Sequence, residues 1–218
     1  MVVVLDLDDT LLKTSSVIKR ALAASCADLG LSSRQFLSAY RAMRIQGPFD
    51  LKRFQQYLPP SLQGQWPAIR SRLVASLRSA TTKELLYADA RQLLQWLGAH
   101  NIPTCVYTHG SASIQAPKVR ALQKRFPYLH IVITGDYTKQ KDLRRCFSRK
   151  LKNKFQDPWI WVDDSVHVAR TSKKFPHCHF FYLGRRKSSA TTAVRGVTPI
   201  RSLSQVRRYL ESLPGKNS

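Results

Sequence analysis

Three carboxylates, Asp6, Asp8 and Asp9, follow directly on a short apolar run, Val2 to Leu5. A run this short and this rich in valine predicts a strand buried on both faces. Like charges crowded at its carboxyl end repel and perturb one another unless a cation sits among them. Folding alone supplies no reason to place them there. A second cluster, Asp163 and Asp164, ends another apolar run, Trp159 to Val162. Five of the chain's 13 acidic residues sit in these two clusters, against 36 Lys plus Arg. Singly, each cluster reads as a turn or a helix N-cap. Together they read as two strand tips sharing a divalent cation. An oxygen-only ligand set, with no accompanying Cys/His group, favours Mg²⁺ over zinc.

Further polar residues fall at predicted strand ends. The apolar run Ile102 to Tyr107 closes on Thr108-His-Gly-Ser111. The Thr108 hydroxyl and the backbone N–H groups that follow it could hold an anion. His109 either lines that site or faces solvent. Lys139 and Lys141 stand at the start of a basic stretch reaching about Phe155. A solvated helix face is the commoner role for such a run, and contact with a nucleic-acid backbone is the alternative. His177 and His179 flank Cys178, but on a strand the two imidazoles share a face from which the thiol points away, which argues against a metal site.

The stretch Val4-Leu-Asp-Leu-Asp-Asp-Thr-Leu11 resembles the DxDxT signature of the haloacid dehalogenase (HAD) superfamily, whose members are mostly phosphatases. The resemblance extends over most of the chain, from Val2 to Leu213. It implies that Asp6 is a nucleophile and Asp8 a general acid/base. Thr108 would bind the phosphoryl group, with His109 and Gly110 beside it. A lysine would offset charge on nucleophile and phosphate. Lys139 and Lys141 both qualify, and Phe147, six residues after Lys141, favours the latter. The proline common after that lysine is absent. Mg²⁺ would be held by Asp6, the backbone carbonyl of Asp8 and Asp164, with Asp163 holding the lysine or a metal-bound water. Four positions after Asp164, where the family often has an acid or Asn, stands Val168. Relatives that dehalogenate lack an Asp at the position of Asp8, so its presence implies phosphate chemistry. The expected activity is Mg²⁺-dependent hydrolysis of a small phosphorylated metabolite or nucleotide through an aspartyl phosphate. Tyr57-Leu-Pro59 and Val162-Asp-Asp-Ser165 are loosely similar to pyrimidine-type nucleotidases.

These residues need a scaffold that gathers strand ends. Five predicted strands, Val2–Leu5, Ile102–Tyr107, His130–Thr134, Trp159–Val162 and Cys178–Leu183, alternate with helical patterns. That alternation predicts an α/β fold with a doubly wound parallel sheet, Rossmann-like, and a site beyond the carboxyl ends of the strands. Between the first two strands the periodicity is helical from Lys13 to about Thr82. Gly30 closes a first helix, Ser32-Ser33 caps a second, Gly47-Pro48 breaks it, and Asp50 to Tyr57 forms a third, stopped by Pro59-Pro60. Trp66-Pro67 opens a fourth. The expected division is an α/β core of residues 1–12 and 83–218 with a helical cap of residues 13–82, which the family resemblance identifies as a C1 cap. Arg41, Arg44, Lys52 and Arg53 could face a substrate, although a solvated helix face is the default. Residues 184–198 read as a loop, and Ile200 to Leu213 as a closing helix.

At 218 residues with 43% hydrophobic content, the chain can bury a sizeable core. No stretch approaches the roughly 20 apolar residues of a membrane span. The immediate entry into a strand shows no signal peptide, and four scattered cysteines read as reduced thiols, so a cytoplasmic location is expected. A net charge of +23 would attract an anionic substrate or nucleic acid. A nucleic-acid-associated phosphatase, or a non-catalytic basic nucleic-acid-binding protein on the same scaffold, is therefore the alternative. Oligomeric state is not legible.

Overall fold

A computed structural model describes residues 1–28, 30–45, 51–79, 85–110, 112–134, 158–170, 175, 177–185 and 195–213. Its centre is a six-stranded parallel sheet in the order β3-β2-β1-β4-β5-β6. The strands are β1 (Val2–Asp6), β2 (Thr104–His109), β3 (His130–Thr134), β4 (Trp159–Asp163), β5 (Cys178–Leu183) and β6 (Val197–Ile200). All five residues of β1 are buried. Val3 and Leu5 enter one hydrophobic cluster while Val2 and Val4 enter another. β4 divides likewise, Ile160 and Val162 against Trp159 and Trp161. Alternate side chains of a strand point to opposite faces, so both faces of these central strands are covered.

The helices are α1 (Thr14–Ala27), α2 (Ser33–Ile45), α3 (Leu51–Phe54), α4 (Pro60–Gln63), α5 (Trp66–Ser79), α6 (Ala88–Ala99), α7 (Ala112–Arg125), α8 (Val166–Ala169) and α9 (Leu203–Glu211). α6 turns Ala90, Leu93, Leu94 and Leu97 onto the cluster containing Val3 and Leu5, and α9 adds Leu203, Val206 and Leu210. Helices α2 to α5 have a separate core, in which Phe36, Met43, Phe54, Trp66 and Ile69 are among the buried residues. α1 packs on α2 and α5, and α5 reaches α7 beside the sheet.

Local chemistry sets several boundaries. Gly30 ends the first helical segment with φ +80°, a value that costs glycine little. Ser32 starts α2 with a reciprocal cap. The Gln35 N–H donates to Ser32 Oγ (3.3 Å), and the Ser32 N–H donates to Gln35 Oε1 (3.0 Å). Pro60 stands at the first turn of α4, where its missing N–H costs nothing, so the Pro59-Pro60 pair both stops one helix and starts another. Arg41 is exposed and Arg53 half-buried. The Gly47-Pro48 break, the Arg44 and Lys52 side chains, and the basic stretch of residues 139–155 fall outside what the structure describes.

The stretch read as a loop ends in a strand. Val197–Ile200 pairs with β5 and makes a sixth strand at the sheet edge. Pro199 within it disguised the pattern, and an edge strand tolerates a residue that cannot donate to the ladder. The closing helix consequently begins at Leu203 rather than Ile200, capped by Ser202 and Gln205.

Asp89, in the first turn of α6, joins three distant parts of the chain. Its carboxylate accepts both terminal nitrogens of Arg185 at 3.0 Å. It also accepts the Ser202 hydroxyl and the Leu203 N–H, each at 2.9 Å. Arg185 donates further to the Thr10 carbonyl at 2.8 Å and lies 3.8 Å over the Tyr87 ring. The loop after β1, the end of β5 and the start of α9 therefore meet on one ion pair. Burial opposes ionisation of Asp89, but Arg185 and the N–H and hydroxyl donors outweigh it, so its carboxyl sits below the ordinary aspartate value. A depressed folded-state value means that the stabilisation is complete above the unfolded-chain pKa of about 4 and is lost as pH falls below it. Asp89→Ala should lower unfolding free energy by about 2 kcal/mol near neutral pH, and the gap between mutant and wild type should narrow below about pH 4, both checked by urea melts across pH.

Candidate active site

The parallel register of β1 on β4 pairs Leu5 with Val162. The next residue on each strand is a carboxylate, Asp6 and Asp163. Both follow the face that carries Val2, Val4, Trp159 and Trp161. Asp6 and Asp163 are buried, and Asp164 is partly exposed. Carboxylate oxygens of the three lie within 4.8 Å of one another. This is also the point where strand order reverses, β1 to β3 running one way and β4 to β6 the other. Open α/β sheets gather ligands at such a crevice. Three crowded carboxylates, two of them buried, repel one another unless a proton or a cation lies among them, and an oxygen-only set suits a hard divalent cation such as Mg²⁺. Asp163 has a second task. Its Oδ1 accepts the Ser165 N–H at 2.8 Å, which orients it at the start of α8. Val168, at the position where the resemblance expects a polar residue, is buried among apolar side chains of the core.

The three acids of the first cluster have separate fates. Asp9 adopts φ +60° and accepts the Ser15 N–H at 3.0 Å and the Ser15 hydroxyl. It is the turn-and-cap residue that such a cluster suggests when taken singly, placed before α1. Asp6 joins the metal-type cluster. Asp8 joins neither. Its Oδ1 accepts Lys118 Nζ at 2.6 Å and its Oδ2 accepts Gln115 Nε2 at 2.7 Å. Lys118 has 0% of its side-chain surface exposed, and Asp8 32%. Burial works to raise the Asp8 pKa, but the Lys118 charge and the hydrogen bonds outweigh it and hold the carboxyl below its ordinary value.

Thr108 is buried near the end of β2, one residue beyond the Tyr107 that pairs with Asp6. Its carbonyl accepts the Thr134 hydroxyl at 3.3 Å. Among the described residues, its own Oγ1 has no hydrogen-bond partner. A buried hydroxyl left over in this way at a strand tip retains the capacity for a hydrogen bond to a group outside the chain. His109 and Gly110 both make contacts at this strand end, and the His109 Nδ1 lies 3.4 Å from Thr134 Oγ1. The His109 carbonyl accepts Gln115 Nε2 at 3.0 Å, and the Gly110 N–H donates to the Thr134 carbonyl at 3.1 Å. Gly110 has φ +144°, and a Cβ there would sit 2.9 Å from Gln115 Nε2. Glycine thus lets the glutamine pass close to the strand end on its way to Asp8.

Lys139 and Lys141, the candidate charge-offsetting lysines, lie outside the described residues. The cation that the described structure brings to the first acidic cluster is Lys118, which sequence reasoning did not select. A signal was present. Gln115, Lys118, Val119 and Leu122 recur at helical spacing on one face of α7, and all four are buried. Two polar residues on an otherwise apolar stripe require partners, and the partner is Asp8. Of the two histidines that flank Cys178, His177 is exposed and His179 packs. His179 stacks on Tyr209 at 4.6 Å between ring centroids and meets Thr198 Oγ1 at 3.0 Å.

A family model described as haloacid dehalogenase-like hydrolase matches residues 1–169. The fold is shared with several solved structures at low identity. A haloacid dehalogenase-like hydrolase from Burkholderia xenovorans LB400 superposes with TM-score 0.72 at 18% identity, covering 95% of this chain and 94% of that one. The HAD-hydrolase YfnB from Bacillus subtilis, bound to magnesium, gives 0.69 at 13% identity, covering 96% and 97%. CbbY from Rhodobacter sphaeroides, in complex with phosphate, gives 0.60 at 17% identity, covering 94% and 95%. Dehalogenases also occur among the structures that share the fold. A comparison with curated proteins finds no match. With the signature at Asp6 and Asp8, the acids of β4 beside it and a family match over residues 1–169, the chain belongs to the haloacid dehalogenase-like hydrolases.

Proposed function

We propose that the chain is a phosphomonoester hydrolase that works through an aspartyl phosphate on Asp6. The observation that carries this reading is the separation of the two acids. Asp6 lies in the three-carboxylate cluster, while Asp8, two residues on, is held out of it by Lys118 and Gln115. One carboxylate is thereby assigned to bonding with phosphorus and the other to moving a proton. Displacement of a halide from carbon releases a leaving group that needs no proton, so its first step would not call for the second acid.

In the first step Asp6 attacks phosphorus and the bond to the ester oxygen breaks. Asp8 passes a proton to the departing oxygen. Asp8 is the carboxylate in the free protein. The negative charge of an incoming phosphate raises its proton affinity, since a like charge disfavours the charged form, and it takes the proton that it passes on from solvent or from the monoanion of the ester. In the second step Asp8 takes a proton from water, which attacks the acyl phosphate and frees Asp6 and inorganic phosphate. The Thr108 hydroxyl, and Lys141 or Lys139, would stabilise the non-bridging oxygens. Asp6, the Asp8 backbone carbonyl and Asp164 would hold Mg²⁺, with Asp163 supporting it. When bound, the ion offsets the charge that gathers between carboxylates and phosphate.

Residues 13–82 would act as the cap. Their helices own a separate core and pack beside the sheet, so they can close over the site and exclude water without rebuilding the sheet. The net charge of +23 would draw in a dianionic ester.

Wild-type protein should hydrolyse aryl phosphates when Mg²⁺ is present, and Asp6→Asn should lower turnover by about a thousandfold or more while retaining the wild-type melt. Halide release from a 2-haloacid without phosphatase turnover would overturn the reading, as would an Asp6→Asn variant of undiminished rate. Mg²⁺ should also raise the melting temperature of the wild type, by linkage worth roughly 2.7 kcal/mol at a hundred times its Kd. Asp164→Asn should weaken that shift, and chelation with EDTA should reverse it. A thermal shift that ignores Mg²⁺ in both proteins would remove the metal from the proposal.

A further inference from the structure

We infer that Lys118, together with Gln115, is a positioning pair that aims the Asp8 carboxylate at the leaving group. The inference rests on the reading of Asp8 as the proton-transfer residue. A lysine with no exposed side-chain surface is costly unless its ammonium is paired. Here the partner lies 110 residues away in sequence, across the tip of the sheet. Nothing in the packing of α7 demands a charge at this point. Val119 and Leu122 on the same stripe enter the core, and an apolar residue would continue the stripe.

The geometry is specific to orientation. Lys118 engages Oδ1 and Gln115 engages Oδ2, so rotation of the carboxylate about its last bond is blocked from both ends. Gln115 is itself fixed, because the same nitrogen donates to the His109 carbonyl and Gly110 leaves room for it. The strand end that carries Thr108 and the acid that moves the proton are thus referred to one amide group. The 32% of the Asp8 side chain that stays exposed leaves a face on which an ester oxygen can be met. The pair also holds Asp8 clear of the Asp6, Asp163 and Asp164 oxygens, where a fourth carboxylate would compete for the cation.

Leaving-group dependence tests this. kcat/KM reports the step in which the ester bond breaks, and an ester with a very acidic alcohol needs no proton from the enzyme. A series of aryl phosphates from phenyl to 2,4-dinitrophenyl, with Mg²⁺, would be run on wild type, Asp8→Asn, Lys118→Met and Lys118→Arg. Asp8→Asn sets the benchmark of a steepened dependence. Lys118→Met should reproduce it, losing about 30-fold or more on phenyl phosphate and under about threefold on the dinitrophenyl ester, within the range of general-acid effects. Lys118→Arg should recover part of the loss on phenyl phosphate. If Lys118→Met fails to fold, Gln115→Leu carries the same expectation and tests the pair in the same way. A uniform loss across the series, or none, with Asp8→Asn steepened, would make Lys118 a packing residue and overturn the inference alone. No wild-type turnover, or no steepening in Asp8→Asn, would overturn the phosphatase reading and this inference with it.

Discussion

Everything near the site depends on the backbone ladder between β1 and β4. Those two strands lie far apart in the chain, and their register leaves one carboxylate on each as the next residue past the last apolar pair. A slip by one residue would send Asp6 to the other face and break the cluster. The valines and tryptophans behind the acids prevent that slip. Each is committed to one of two cores, so a shifted strand would lose burial on both faces. Stability of the sheet and the spacing of the acids are in this sense a single property.

The three neighbouring aspartates show how one short segment can carry three different tasks. Asp6 belongs to the strand, Asp8 to the loop that follows and Asp9 to the entry into α1. Their carboxylates diverge because each has its own partner: Asp163 and Asp164, Lys118 with Gln115, and Ser15. The backbone enforces the divergence. The N–H groups of Leu11 and Leu12 both reach the Leu7 carbonyl, which tightens the chain directly after the strand, and Asp9 takes up the left-handed turn. Identical residue types are made chemically unlike by geometry alone.

Much of this was legible in the sequence alone. Strands with continuous apolar runs, such as β1 and β4, announce themselves, and so do acids at their ends. The helical character of Thr14–Ser79 follows from periodicity together with Gly30, Ser32 and Pro60. β6 was hidden because a four-residue edge strand with an internal proline has neither the run nor the alternation that marks the others. Lys118 was hidden for a different reason. In a chain with 36 Lys plus Arg, one more lysine on a helix looks like solvated surface, and only the tertiary packing of α7 against the loop after β1 turns it inward. The room that Gly110 leaves for Gln115 was hidden in the same way, since the two meet only in the folded chain. Local sequence reports backbone preference well and reports poorly which distant group a polar side chain will meet.

The Asp89–Arg185 pair gives the carboxyl-terminal part of the chain a say in the chemistry of its beginning. The family match stops at residue 169, and every candidate acid lies before that limit. Yet the guanidinium that holds the Thr10 carbonyl comes from β5's far end, and the carboxylate that fixes it is seated by Ser202 and Leu203. A fragment ending at the family boundary would hold every candidate acid and lack the clasp that secures the loop after β1.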